Sequence, residues 1–184
     1  MTARNISSER LGFLLNELSG VIDFNKDLPS NVFVGGGFVF WFFERPLLSY
    51  FDLFHGLISA SLSSFKSDVF IKFSGREFLV DSCFSVSGVD NFSDAQWISK
   101  ESVDFFGGKV GYPIILFNGT YDWVALESAR EEFGVIAMKV KSSQVVFSEY
   151  LESNFISSED LVLLASGTSA ESVIAKAFIC SYCS

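Results

Sequence analysis

The chain has few residues whose type and spacing could support catalysis, and the first of them is its one histidine. His55 follows Asp52 by three residues within a helical pattern, so the two side chains are neighbours on one helix face. Such a pair could transfer protons, although a solvated histidine beside a carboxylate is the more common arrangement. A serine hydrolase would use this histidine as its base, yet no Gly-x-Ser-x-Gly motif is present. The sequence therefore predicts no catalytic residue and a protein that is not an enzyme.

Two further motifs match functional motifs only in their spacing. Cys180 and Cys183 have the CxxC spacing of zinc sites and thioredoxin-like proteins, but the sequence offers no second pair of zinc ligands. We interpret this spacing as incidental, at the end of an amphipathic helix. The three consecutive glycines 35–37 lack the later glycine and the lysine that phosphate-binding loops require, and they indicate a bulge or a bend instead. We expect neither a metal ion nor a cofactor.

The acidic residues are distributed unevenly along the chain. The formal net charge is −9, and residues 81–160 hold 13 acidic and 5 basic side chains. A field of one sign attracts a partner of opposite charge and raises the rate of association. Lysine and arginine are too few and too scattered for a phosphate-binding surface, which argues against direct binding of nucleic acid. The charge pattern therefore favours a basic protein partner.

Length and composition set the broad class. A chain of 184 residues, 49% hydrophobic and with 22 phenylalanines, favours one folded domain with a substantial core. The first ten residues lack the apolar stretch of a signal peptide. The longest apolar run, residues 32–43, is shorter than the roughly 20 residues that span a bilayer. We expect a cytoplasmic protein without a membrane segment.

The hydrophobic periodicity predicts helices at both ends of the chain and one near its middle. A helix with leucines at 3.6-residue spacing follows Ser7 or Ser8, and a second covers residues 45–65. A short helix is expected over 93–98. Towards the end, helices are expected over 145–151 and 157–165, followed by a last helix capped by the box 168–171, with Val173, Ile174, Ala177 and Phe178 on its apolar face.

Alternating apolar runs between tight turns predict the strands. Residues 31–43 are predicted to form a strand. The runs 69–73 and 76–80 flank the turn Ser74-Gly75 and predict a hairpin. The runs 114–117 and 121–126 flank Asn118-Gly119, which is a strong hairpin signal. A further strand is expected over 133–140. The predicted fold is a single α+β domain: an antiparallel meander of about five or six strands packed by α-helices.

The long connection 81–112 is the first candidate for a functional surface. It carries Asp90, Asp94, Glu101 and Asp104, and connections of this length are often functional or partly structured. The alternative is a solvated loop whose charges serve solubility. Trp97, in the same segment, could be an aromatic anchor for a partner or a core residue that holds the loop in place.

The segment from Tyr121 to Ala137 resembles a known class of protein. Its Trp-led strand (Tyr121-Asp122-Trp123-Val124-Ala125-Leu126), charged turn and second apolar strand are similar to those of bacterial immunity proteins of polymorphic toxin systems, including contact-dependent growth inhibition. The resemblance implies a cytoplasmic inhibitor that binds one cognate toxin domain, often a basic nuclease, and blocks it.

From this resemblance and the charge pattern we predict the residues that contact the toxin. They are Asp90, Asp94, Trp97, Glu101 and Asp104 in the long connection, with Glu131 and Glu132 at the hairpin turn. Trp123 is expected to belong to the sheet. A sensory or regulatory domain that binds a small molecule is the alternative function, because so many phenylalanines could line an apolar pocket.

Overall fold

A computed structural model describes residues 3–102 and 111–183 of the chain. Its centre is a seven-stranded antiparallel sheet with the order β1-β4-β3-β5-β6-β7-β2. The strands are Arg4–Asn5 (β1), Phe38–Glu44 (β2), Val69–Lys72 (β3), Cys83–Val86 (β4), Ile114–Asn118 (β5), Trp123–Glu127 (β6) and Phe133–Lys139 (β7). Only β5, β6 and β7 form a sequential meander; β2 joins the far side of β7.

Helices cover both faces of this sheet. Those in the described residues are Ser8–Ser19 (α1), Phe51–Phe65 (α2), Asn91–Glu101 (α3), Val145–Asn154 (α4), Ser158–Ala165 (α5) and Ala170–Tyr182 (α6). Side chains of α1, α5 and α6 pack on one face of the sheet. Side chains of α2, α3 and α4 pack on the other. The sheet is therefore the middle of three layers.

The central strand β6 shows why these strands read as continuous apolar runs. Alternate residues of a strand point to opposite faces. Val124 and Leu126 accordingly join the core beneath α1, α5 and α6, whereas Trp123 and Ala125 join the core beneath α2, α3 and α4. Because both faces are covered, every position of β6 is buried.

The predicted α+β fold class is confirmed, with one strand more than expected. Two observed strands were not predicted: β4, and β1, whose two residues pair with β4 at one edge and are too short to leave a periodic signal. Two helix starts are also confirmed: the Ser7 side chain accepts from the Arg10 N–H, and Ser157 forms a capping box with Asp160.

Two predicted elements begin later than expected: β2 at Phe38 rather than at residue 31, and α2 at Phe51 rather than at residue 45. The strand predicted over residues 76–80 is wrong. Residues 76–80 are not a strand: β3 pairs instead with Cys83–Val86, and residues 76–80 form an exposed connection. The Lys72 ammonium donates to the Glu77 carbonyl at 2.9 Å and holds this connection as a turn. Asp81, at φ 63°, then redirects the chain into β4.

The last helix begins one residue later than predicted and buries a different face. Ser169, not Thr168, is the N-cap. Val173 is 65% exposed, whereas Phe178 and Tyr182 are buried. These two aromatic residues are one helical turn apart and remove more apolar area from water than the valine would, so they set the rotation of the helix.

The outer edge of β2 is partly covered by the link between α4 and α5. Phe42 and Ile156 exchange two backbone hydrogen bonds, at 2.8 and 2.9 Å. The ladder between β2 and β7 uses alternate residues, which leaves the backbone groups of Phe38 and Phe40 directed away from β7. The link to Ile156 therefore closes the edge at one position and brings the end of α4 against β2.

Among the described helices, none combines the length and apolar character that crossing a membrane requires.

Candidate functional site

The middle of α3 holds two of the predicted partner-binding residues, and neither is freely exposed. Asp94 is fully buried on the same side of the helix as Ala95 and Ile98, so its carboxylate is not part of the protein surface. Trp97 is half-buried and packs edge-to-face on Phe84, with ring centroids 5.6 Å apart. This contact corresponds to the alternative role considered for Trp97, a core residue that holds its segment in place.

The two ends of α3 hold the other predicted residues of this segment. Asp90 is the half-buried N-cap position, where a hydrogen bond from the Ser93 side chain lowers the pKa of its carboxyl. Glu101 ends the helix. The side chain of Glu101 and the whole of Asp104 lie outside the described part of the chain.

Glu131 and Glu132 lie on a different element, the connection between β6 and β7. Glu132 is exposed and Glu131 is half-buried. The Arg45 guanidinium donates to the backbone carbonyls of Glu131 and Ala129, the latter at 3.1 Å. The connection is thus fixed to the end of β2, and the predicted set divides into an α3 group and a group beside β2.

An open pocket of about 380 Å³ lies at the edge of the sheet, beside the end of β2. We call it the edge pocket. Its walls are mainly apolar, and its polar groups are two carboxylates, an amide and a phenol. The lining residues are Phe42, Phe43, Glu44, Tyr50, Leu53, Asn154, Phe155, Ile156 and Asp160.

The edge pocket exists because distant parts of the chain meet at β2. The backbone bridge between Phe42 and Ile156 places the α4–α5 link against the strand. The Asp160 carboxylate lies in the first turn of α5, where its Oδ2 accepts from the Ser157 hydroxyl at 2.8 Å. Tyr50 immediately precedes α2, and its hydroxyl donates a long hydrogen bond, 3.5 Å, to Glu44 Oε2.

A second cavity of about 220 Å³ adjoins the same strand end, because Glu44 lines both. Its other lining residues are Arg45, Glu132, Phe133 and Glu171. The two cavities together carry four carboxylates, which we call the acidic rim: Glu44, Glu132, Asp160 and Glu171. All four residues are exposed. Within the lining as described, Arg45 is the one cation, and backbone carbonyls already hold its guanidinium.

A buried carboxyl group lies close to Arg45. Glu127 is fully buried at the end of β6, and its Oε1 accepts from the Leu47 N–H at 2.8 Å. No described residue hydrogen-bonds to its Oε2. Burial raises the pKa of Glu127 to about 7, although the hydrogen bond from the Leu47 N–H and the positive charge of Arg45 both act to lower it. The Arg45 guanidinium itself lies over the Tyr112 ring. Glu127 therefore takes up or releases its proton near neutral pH.

The histidine lies in a more enclosed position than the sequence suggested. His55 stacks on Phe51 and meets Phe92 edge-to-face, because α3 packs against this side of α2. Its Nε2 is 3.2 Å from Ser59 Oγ, which also accepts from Asn91 Nδ2 at 2.9 Å. The resulting network links α2 to α3. It brings a hydroxyl to an imidazole, and neither His55 nor Ser59 lines the edge pocket.

The cysteines do not assemble a site in the described residues. Cys180 is exposed and Cys183 is half-buried, and both are free thiols near the end of α6. Within the described residues, no group of three or more ligating side chains could hold a metal ion. Burial raises the pKa of the Cys83 thiol to about 12, which disfavours the reactive thiolate. The buried Lys72 ammonium beside it has its pKa lowered to about 8, also by burial.

Gly134 on β7 supports one wall of the edge pocket. A Cβ at this position would lie 2.2 Å from Cζ of Phe43, a buried ring that lines the pocket. We expect Gly134→Ala to displace this ring and to lower the free energy of unfolding by about 1–3 kcal/mol, the usual cost of overpacking. Urea unfolding measures the effect.

Gly36→Ala is the matched control for Gly134→Ala, because no atom lies within 4 Å of its added Cβ. Its free energy of unfolding should change by less than about 0.5 kcal/mol. Equal stability of the two variants would show that the Phe43 ring moves without cost and that the pocket wall is soft.

Sequence reasoning missed Glu44, Asp160 and Glu171 as parts of one surface. Each looks like an ordinary exposed acid at the end of a strand or start of a helix, and only the packing of α5 and α6 beside β2 brings them together. No family model matches the chain, and neither a curated protein nor a solved structure is significantly similar to it.

Proposed function

We propose that this protein is an immunity-type inhibitor that binds a basic toxin domain through the acidic rim and the edge pocket. The observation that carries the proposal is the acidic rim itself: four exposed carboxylates surround two adjoining cavities at the end of β2. The chain's net charge of −9 has the same sign. Of the residues predicted from sequence, Glu132 belongs to the rim, and Glu131 lies beside it.

The combination of charge and apolar pocket suits a fast and tight inhibitor. Exposed carboxylates raise the rate at which a basic partner approaches, and they act through a field that salt screens. Burial of the partner's side chains in the pocket then slows dissociation. An inhibitor of a lethal enzyme needs both properties, because the enzyme must be captured before it acts and must remain captured.

The first test is to capture the partner and to measure how charge reversal affects its association. The tagged protein is used to isolate its partner from native lysate, and the two purified proteins are then studied by stopped flow at about 0.05 and 0.5 M salt. We expect Glu44→Lys/Glu132→Lys to reduce the association rate constant at low salt about tenfold, with the difference shrinking at high salt.

The matched control is Glu17→Lys/Glu149→Lys, which makes the same change in net charge at exposed positions on α1 and α4. It should alter the association rate much less. Inhibition is tested separately: the partner alone should arrest bacterial growth, and coexpression with this protein should restore it. Equal slowing by both double variants, or no protection, would contradict the proposal.

The edge pocket also supports the alternative, a domain that binds a small molecule. At about 380 Å³ it falls within the usual range for ligand sites, and its apolar walls with a few polar groups are typical of them. A metabolite that raises the melting temperature of the wild type, in the absence of any protein partner, would favour this function.

A further inference from the structure

We propose that the edge pocket receives one arginine side chain of the basic partner. This inference rests on the proposed function and assigns the pocket's occupant. It follows from the hydrogen-bonding groups that the pocket presents, from its apolar walls and from its charge.

The pocket has few side-chain donor groups, and each already makes one hydrogen bond within the protein. The Tyr50 hydroxyl donates to Glu44, and Asn154 Nδ2 donates to the Tyr150 carbonyl at 2.9 Å. Acceptors remain: Asp160 uses only Oδ2 in the capping box of α5, and Asn154 Oδ1 and Glu44 Oε1 accept no hydrogen bond from the described residues. A pocket that offers more available acceptors than donors favours an occupant that is rich in donors.

The charge of the lining specifies a cation. Glu44 and Asp160 contribute two carboxylates, and the described lining contains no lysine or arginine to neutralise them. A neutral donor such as an amide would leave both charges uncompensated. A cationic occupant instead forms charge-assisted hydrogen bonds, which are about twice as strong as neutral ones.

The aromatic walls favour a guanidinium over an ammonium group. Phe43 and Phe155 pack edge-to-face at 6.1 Å, and both line the pocket. A guanidinium is planar, weakly hydrated and able to stack on aromatic rings while its five N–H groups reach several acceptors. The methylenes of an arginine can also cover apolar walls such as Leu53. An ammonium group is a compact, strongly hydrated charge and gains less from such a pocket.

The test uses blocked amino acids as probes and the captured partner as the second arm. Nα-acetyl-arginine methylamide is titrated into ¹⁵N-labelled protein, with the citrulline and lysine analogues as controls. We expect the arginine probe to shift the signals of Asn154, Phe155 and Ile156 with a Kd on the order of millimolar. The citrulline probe, which lacks the charge, should bind at least about tenfold more weakly.

Variants locate the effect in the pocket. Glu44→Gln should weaken binding of the arginine probe about tenfold, because one carboxylate is lost. Glu159→Gln is the matched control: it is exposed beside Asp160 but does not line the pocket, and it should leave the probe's Kd unchanged. Equal binding of the citrulline probe, or no shift at pocket residues with any probe, would overturn the inference.

The partner arm separates failure of this inference from failure of the proposed function. One arginine of the partner, replaced by alanine, should raise the dissociation rate about a hundredfold, and this effect should largely disappear in Glu44→Gln. Capture and inhibition without such an arginine would overturn the inference and leave the proposed function standing. Probe binding without any captured partner would overturn both, and the pocket would then be a site for a free small cation.

Discussion

Replacing Trp123 with alanine is expected to lower the free energy of unfolding by about 3–5 kcal/mol, the largest effect of any substitution considered. Trp123 is fully buried on the central strand β6, and its ring lies 5.4 Å from that of Phe147 on α4. Its Nε1–H donates to Ser61 Oγ at 2.7 Å, which ties the sheet to α2. Alanine would leave a cavity between three elements and a buried hydroxyl without its donor.

Two further variants divide this loss into its parts. Trp123→Phe keeps most of the ring but removes the donor, so we expect a smaller destabilisation, about 1–3 kcal/mol. Phe13→Ala, on the exposed side of α1, is the control and should cost less than about 0.5 kcal/mol. Urea unfolding gives all three values. A cost for Trp123→Ala no larger than that for Phe13→Ala would mean that Trp123 does not hold β6 against α2 and α4.

Replacing Glu127 with glutamine is expected to change how stability depends on pH. The pKa of Glu127 is raised from 4.5 to about 7 in the folded protein, so the folded state keeps a proton that the unfolded chain has lost between these values. Stability from this group is therefore fully present below about pH 4.5 and declines as pH rises through 7. Glutamine stays neutral and avoids the decline.

The wild type and Glu127→Gln should thus be similarly stable near pH 4.5 and differ by about 3 kcal/mol at pH 8, with the variant more stable. Thermal and urea unfolding across pH 4.5–8 measure the difference. Glu149→Gln, an exposed position on α4, serves as control and should show a flat difference. A flat difference for Glu127→Gln would mean that Arg45 keeps the Glu127 carboxyl ionised in the folded protein.

Local signals were enough to predict most of the fold. The Asn118-Gly119 turn and its flanking apolar runs correctly placed β5 beside β6, and Ser157 correctly marked the start of α5. These signals act within a few residues. The run 76–80 failed because its alternation resembled a strand, whereas contacts with Lys72 decided the outcome.

The candidate site was less predictable, because it depends on contacts between distant segments. Period-two alternation could have placed Glu127 on the same buried face as Trp123 and marked it as a perturbed carboxyl. For Glu44 and Asp160 no such signal exists, since the backbone bridge at Phe42 brings them together. Charge density along the chain pointed to residues 81–112, but the packing of α3 buried Asp94 there.

The bridge between Phe42 and Ile156 also affects how copies of this protein behave when crowded. A strand edge with free backbone groups is a template on which identical molecules can stack into fibrils. The backbone of Ile156 already pairs with this edge at Phe42. The exposed charge of Glu44 disfavours pairing with a second copy at the adjoining end of β2. On this edge, the backbone groups of Phe38 and Phe40 stay open. The same link that forms the edge pocket thus shortens the strand edge on which a second copy could pair.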